Sequence, residues 1–224
     1  PIVLTGSQRS SDRGSSDAFM NLICSSYIAS RSDIAEVGIC MHSSSNDDYC
    51  SFIRGVKARK MHTSRRDAFK AINEKPIAYV NLKGDIEIAN NYKKSSKQNL
   101  KIETKTNFDN KVALLKIYPN SDPDIINYYI EKKYNGIILE GTGLGHIPIS
   151  GEHKEKRYLN YIKKAINNNI IIGMTSQCLF GRVNQYVYRN LRFLNDAGVI
   201  YCEDMLPETA YIKLSWLLGN YKKI

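Results

Sequence analysis

The chain has 224 residues, 42% hydrophobic and 24% charged, which suits one large core or two small ones and excludes disordered and fibrous classes. No apolar run approaches the roughly 18 residues a membrane span needs, and no signal peptide is expected. Thirty-two basic against 22 acidic residues give a net charge of +10, which admits an anionic partner such as nucleic acid, although no recognition motif accompanies the charge.

Cys24, Cys40, Cys50, Cys178 and Cys202 are scattered and form no C-x-x-C pair. That distribution argues against a disulfide framework or a zinc site and for a reducing cytoplasm. Cys24 and Cys40 stand among apolar residues and read as small buried hydrophobes.

In chain order, Ile2–Thr5 reads as a short strand ending at Gly6, where the absent side chain lets a ligand approach and leaves Ser7 free to face it. A tight strand-to-helix connection accounts for the same residues. Asp12 or Ser15 is the expected start of a helix running through Ala29. Val37–Met41 is the next strand, followed by a polar turn at 43–48 and a strand over Tyr49–Ile53. Then comes a basic run without an acid, Arg54-Gly55-Val56-Lys57-Ala58-Arg59-Lys60-Met61-His62-Thr63-Ser64-Arg65-Arg66. Such a run is ordinarily a solvated face. A lysine in a partly closed site can instead shuttle a proton for a hydroxyl, and Arg54, Lys57 and Arg59 would disfavour the charged form of Lys60. Ile77–Val80 and Ile86–Ile88 form an expected hairpin around Lys83-Gly84.

Asn90–Asn110 is rich in Lys and Asn and has linker composition. Beyond it, strands are expected at Val112–Tyr118, Gly136–Glu140, Ile170–Thr175 and Val199–Ile200. Helices are expected at Pro123–Lys132, Glu155–Asn167, Val183–Ala197 and Glu208–Leu218, with Asp204 and Pro207 opening the last one. This alternation implies an α/β architecture with parallel strands, whose ligands bind beyond the carboxyl ends of the strands. The glycines of Glu140-Gly141-Thr142-Gly143-Leu144-Gly145-His146 do not match a dinucleotide fingerprint, and Pro148 with Gly151 delays the next helix.

The phrases LTGSQRSSDRGSSDAFMNL (4–22), RKMHTSRRDAF (59–69), GIILEGTGLGHIP (136–148), MTSQCLFGRVNQYVY (174–188) and AGVIYCEDMLPETAYIKL (197–214) resemble the asparaginase/glutaminase family. Within it they resemble the glutaminase-subunit branch of the archaeal tRNA-dependent amidotransferases. The resemblance implies an asparaginase-like two-domain α/β fold, with 1–90 the latter part of an incomplete N-terminal domain, 91–110 a linker, and 111–224 a C-terminal domain lacking its last helix. It also implies release of ammonia from glutamine, used by a partner E subunit with ATP and Mg to convert Glu-tRNA(Gln) to Gln-tRNA(Gln). Homodimerisation through the asparaginase-like domains and tRNA contact mainly through the partner are further implications, as is the lack of a cofactor in this chain.

The family's site uses two threonines, an aspartate and a lysine. Lys60 matches the catalytic lysine, Ser7 a position lining the substrate pocket mainly through its backbone, His146 a position near a neighbouring protomer's site, and Asp17 a structural carboxylate. The T-G-G-T and G-T-D-T phrases that carry the remaining catalytic residues do not occur in the 224 residues. With Pro1 in place of a methionine, both ends are expected to be interior to a longer subunit and the chain alone inactive. A truncated free-standing L-asparaginase and a non-catalytic assembly module are the competing expectations.

Overall fold

A computed structural model of the chain describes residues 1–96, 103–149 and 158–221. The chain divides into two compact units, Pro1–Lys101 and Ile102–Ile224. Among the described residues no helix is long and apolar enough to cross a membrane.

The first unit is built on a five-stranded sheet of order β1-β2-β3-β6-β7, comprising β1 (Ile2–Leu4), β2 (Val37–His42), β3 (Cys50–Arg54), β6 (Ala78–Val80) and β7 (Ile86–Ile88). Only β1 and β2 pair in parallel, joined by the crossover helix α1 (Ala18–Arg31), and the remaining pairs are antiparallel. Short polar turns follow β2 and β6, and such turns permit only antiparallel return. One face of α1 places Met20, Cys24 and Ile28 against Cys40, Cys50, Phe52, Ala78 and Val80 in a closed core. Within it, the neighbouring Cys24 and Cys40 thiols together with burial push the Cys50 thiol up. A second, two-stranded sheet of β4 (Ala58–Lys60) and β5 (Phe69–Ala71) lies within and just beyond the basic run and was not expected. A 3-10 turn over Gly55–Lys57 leads into it.

The second unit has a four-stranded, wholly parallel sheet of order β11-β10-β9-β8: β8 (Val112–Lys116), β9 (Gly136–Gly141), β10 (Ile171–Ser176) and β11 (Ile200–Tyr201). Helices α2 (Ile125–Glu131), α3 (Tyr158–Asn167) and α4 (Arg189–Asp196) cover one face, burying Ile126, Tyr158, Ile162 and Leu194 against Ile137, Leu139 and Ile172. Helix α5 (Pro207–Asn220) covers the other through Ala210 and Leu214, against Val112 and Ile138. Coverage of both faces explains why β9 and β10 read as near-continuous apolar runs.

Three expectations need correction. Helix α1 begins at Ala18, later than Asp12 or Ser15, because the Asp17 side chain turns back to the preceding loop. The helix expected over Val183–Ala197 is confined to Arg189–Asp196. Ahead of it, the Val183 and Asn184 amides donate to the Glu203 and Leu144 carbonyls, and Gly181 has φ 96°. The last helix takes Leu206 as its N-cap with Pro207 in the first turn, so Asp204 does not cap it.

Within the expected linker, the Ala35 amide donates to the Lys93 carbonyl, whereas Trp216 Nε1 donates to the Lys105 carbonyl and Ser215 Oγ to that of Asp109. The remainder of that stretch, 97–102, the expected helix start at 155–157, Gly151 and the basic tail at 222–224 lie outside the described residues.

Phe52 is fully buried, whereas Phe19 on α1 is 71% exposed. Phe52→Ala is expected to destabilise the first unit by about 3–5 kcal/mol in urea unfolding. Phe19→Ala is expected to change stability by no more than about 0.5 kcal/mol. Equal effects would contradict the assigned core.

Candidate active site

The loop after β1 is shaped by one buried carboxylate. Asp17 is fully buried, and its oxygens accept hydrogen bonds from the Gln8 amide (3.0 Å to each), the Arg9 amide (3.0 Å) and Asn21 Nδ2 (2.9 Å). Burying a carboxylate is costly unless its lone pairs are satisfied, and here two backbone donors of the loop satisfy them. The i, i+4 spacing on α1 stacks Asn21 beside Asp17, and Asn21 Nδ2 also donates to the Gly6 carbonyl at 2.8 Å. Gly6 and Ser7 are thereby held at the strand end with Ser7 exposed, and a Cβ on Gly6 would meet only open space. The Thr5 hydroxyl points away from that opening and donates to the Cys40 carbonyl at 2.9 Å.

Lys60 closes β4, paired with Phe69 across the small hairpin, and is exposed. No hydrogen bond or ion pair to a described residue engages its ammonium. Other cations of the run are occupied. Arg54 contacts Glu36 (3.3 Å) and Glu74 (2.5 Å), so its guanidinium is directed to two carboxylates. Burial works against the charge of Glu36, but the Arg54 donors outweigh it and lower the Glu36 pKa. Arg65 grips Asp67 through Nε and Nη2, both at 2.9 Å, and Lys70 Nζ donates to Asp67 Oδ2 (2.9 Å) and to the Ser43 carbonyl (2.8 Å). Arg66 Nη1 donates to Asp47 at 2.6 Å.

Between loop and hairpin lies a fully buried histidine absent from the sequence-based candidates. His42 Nδ1 meets Asn21 Oδ1 at 2.6 Å and Nε2 meets Asp47 Oδ1 at 3.0 Å. Ser7 and Lys60 therefore sit on two segments joined through Asp17, Asn21, His42, Asp47 and Arg66. The D-x-x-x-N spacing of Asp17 and Asn21 was a usable signal for half of this network. His42 and Asp47 carried none.

His146 belongs to the second unit. Its backbone bridges Thr142 in both directions (2.9 and 2.8 Å), its ring lies 5.1 Å from that of Tyr188, and it is half-buried. The turn it closes needs Gly145, whose φ is 103° and whose Cβ would lie 2.9 Å from Met174. The amides of Thr142, Gly145 and His146 are spent on closing this turn. Gln177 Nε2 links the ends of β8 and β9 by donating to the Ile117 and Glu140 carbonyls.

A model of the asparaginase N-terminal domain matches residues 1–94, and one of the glutaminase/asparaginase C-terminal domain matches residues 111–224. The chain belongs to the asparaginase/glutaminase family. It is 49% identical over 225 residues to the D subunit of glutamyl-tRNA(Gln) amidotransferase from Pyrococcus abyssi, covering 100% of this chain and 49% of that relative. Proteins of the same name from Methanobrevibacter smithii and Sulfolobus acidocaldarius are 48% and 49% identical, over 100% and 98% of the chain and 49% and 48% of theirs. The chain thus spans about half the length of the curated relatives it matches.

Two solved structures share the fold. The thermostable L-asparaginase from Thermococcus kodakarensis superposes with a TM-score of 0.86 at 27% identity, over 100% of this chain and 62% of that one. L-asparaginase I from Vibrio cholerae gives 0.81 at 29% identity, over 97% and 61%. The α/β fold is that of the family's asparaginases.

The acid cluster at the Lys60 hairpin yields a pH dependence. Burial opposes ionisation of Asp67, but Lys70 and then Arg65 outweigh it and hold its carboxyl below the usual range. The cluster's contribution is therefore complete above the unfolded aspartate value of about 3.9 and is lost as pH falls through the lower folded value. Denaturant unfolding at a series of pH values is expected to show Asp67→Asn less stable than wild type near neutrality, with the gap closing below about pH 4. A gap independent of pH would contradict this assignment.

Proposed function

We propose that this chain carries part of the glutaminase of a tRNA-dependent amidotransferase. The observation that carries this reading is identity near one half, along essentially the whole chain, to proteins named as the D subunit of glutamyl-tRNA(Gln) amidotransferase. The reaction is hydrolysis of the glutamine side-chain amide. Its ammonia passes to a partner E subunit, which uses ATP and Mg to amidate glutamate on tRNA(Gln). The +10 charge suits an assembly that contains tRNA.

In this reading the backbone of Ser7, held by Asp17 through the adjoining amides, lines the glutamine site. Lys60 moves a proton for a threonine nucleophile supplied by sequence outside these 224 residues. Its exposed position and lack of an ion-pair partner among the described residues leave the ammonium free for that task. His146 contributes at the site of a neighbouring protomer, in a homodimer built on the asparaginase-like domains. No cofactor is required of this chain.

The test is Lys60→Ala in the full-length gene product with its partner subunit. Ammonia release from glutamine is expected to fall by about 10²–10⁴-fold, the range for a lost proton-transfer group, with an unchanged circular dichroism spectrum. Retained turnover by the folded variant would remove Lys60 from the mechanism. Preference of the wild type for asparagine over glutamine would favour a free-standing asparaginase.

A further inference from the structure

We propose that His42 is a positioning residue that holds the Gly6–Arg9 loop and the Lys60 hairpin in one fixed relation. The proposal deepens the glutaminase reading by giving its two segments a common anchor, and its physical part is testable without activity.

The orientation of the Asn21 amide decides the chemistry. Its nitrogen faces the Gly6 carbonyl (2.8 Å) and the Asp17 carboxylate (2.9 Å), both acceptors, while its oxygen receives the His42 backbone amide at 3.0 Å. A flipped amide would set donor against donor and acceptor against acceptor, so Oδ1 is the acceptor toward His42 Nδ1 at 2.6 Å. The other ring nitrogen meets a carboxylate oxygen of Asp47 at 3.0 Å. A neutral imidazole has one N–H, and here two acceptors face its two nitrogens.

From His42 the link continues outward. Asp47 Oδ1 also accepts from Arg66 Nη1 at 2.6 Å, and Arg66 lies in the turn between β4 and β5. His42, then Arg66, hold the Asp47 carboxyl below the usual range. Asp47 is 64% exposed and His42 is wholly buried, so the inner half of the link is rigid and the outer half is open to solvent. Other groups around the histidine fit this arrangement. Cys50 from β3 places its thiol 3.5 Å from Asn21 Oδ1, Asp17 lies behind Asn21, and Lys70 of β5 ties the Ser43 carbonyl next to His42. Arg66 Nη2 also donates to the Ser45 carbonyl and Lys70 forms a further tie, so loss of the Asp47 contact loosens the hairpin without detaching it.

The experiment compares wild type with His42→Phe, Asp47→Asn, their double variant and Arg66→Gln in the full-length gene product, read by amide hydrogen exchange. His42→Phe is expected to accelerate exchange at Gln8, Arg9 and residues 61–66 together by about tenfold or more, the scale of a lost hydrogen bond to a charged group. Strands β9 and β10 are expected to stay unchanged. Arg66→Gln and Asp47→Asn should affect the 61–66 segment alone, and the double variant should match His42→Phe there rather than multiply the two effects. Asp47 is exposed, so its variant keeps the core intact should His42→Phe fail to fold. In that case unchanged 61–66 exchange in Asp47→Asn overturns the proposal.

Multiplying effects, or unchanged hairpin exchange in a folded His42→Phe, would overturn the proposal as well. If the wild type hydrolyses glutamine, His42→Phe should raise KM and lower kcat together, whereas Asp47→Asn, which loosens the hairpin alone, should lower kcat with little change in KM. Absence of any turnover in wild type would overturn the glutaminase reading while leaving the exchange result to decide the role of His42.

Discussion

A buried carboxylate with no ion pair to any described residue organises the first unit. Asp17 faces two backbone amides and an asparagine instead of a lysine or arginine, so its cost of burial is offset by hydrogen bonds alone. Those amides belong to the loop that follows β1, and their capture fixes the course of Gly6–Arg9. The same commitment delays the start of α1 and directs Asn21 toward Gly6 and His42. Loop, helix start and buried histidine are consequences of one satisfied acceptor.

The hairpin bearing Lys60 follows a different rule. Its basic residues are sorted by neighbours, with Arg54, Arg65 and Arg66 each matched to carboxylates, while Lys60 stands at the end of β4 with its ammonium unengaged by any described residue. A dense basic run thus serves mainly to anchor the hairpin. Surface pairs of this kind are individually weak, but several converge on the nearly buried Asp67 and on Asp47, where they restrain one short segment.

Much of this could be read from the amino acids, and the exceptions have physical causes. The parallel sheet of the second unit was legible because β9 and β10 are buried on both faces and stand out as apolar runs between helical patterns. The pair β4 and β5 was not, because β4 is Ala-Arg-Lys and the Phe-Lys-Ala of β5 is too short for its alternation to stand out. The shortened α4 was hidden because the amides of Val183 and Asn184 go to carbonyls distant in sequence, a pairing the local sequence does not reveal. Lys60 and Ser7 stood out in the residues and gained roles from the family resemblance, while His42 emerged only from the fold, since its partners come from a helix and a turn on either side of it.

Asp17→Asn tests the central claim most directly. The amide keeps the volume of the side chain but places an NH2 group against the Gln8 and Arg9 amides. Amide exchange and urea unfolding on this one variant are expected to show loss of protection at Gln8 and Arg9 together with a stability loss of about 1–3 kcal/mol. Retained protection at both amides with unchanged stability would mean that the loop is held by something other than the buried carboxylate.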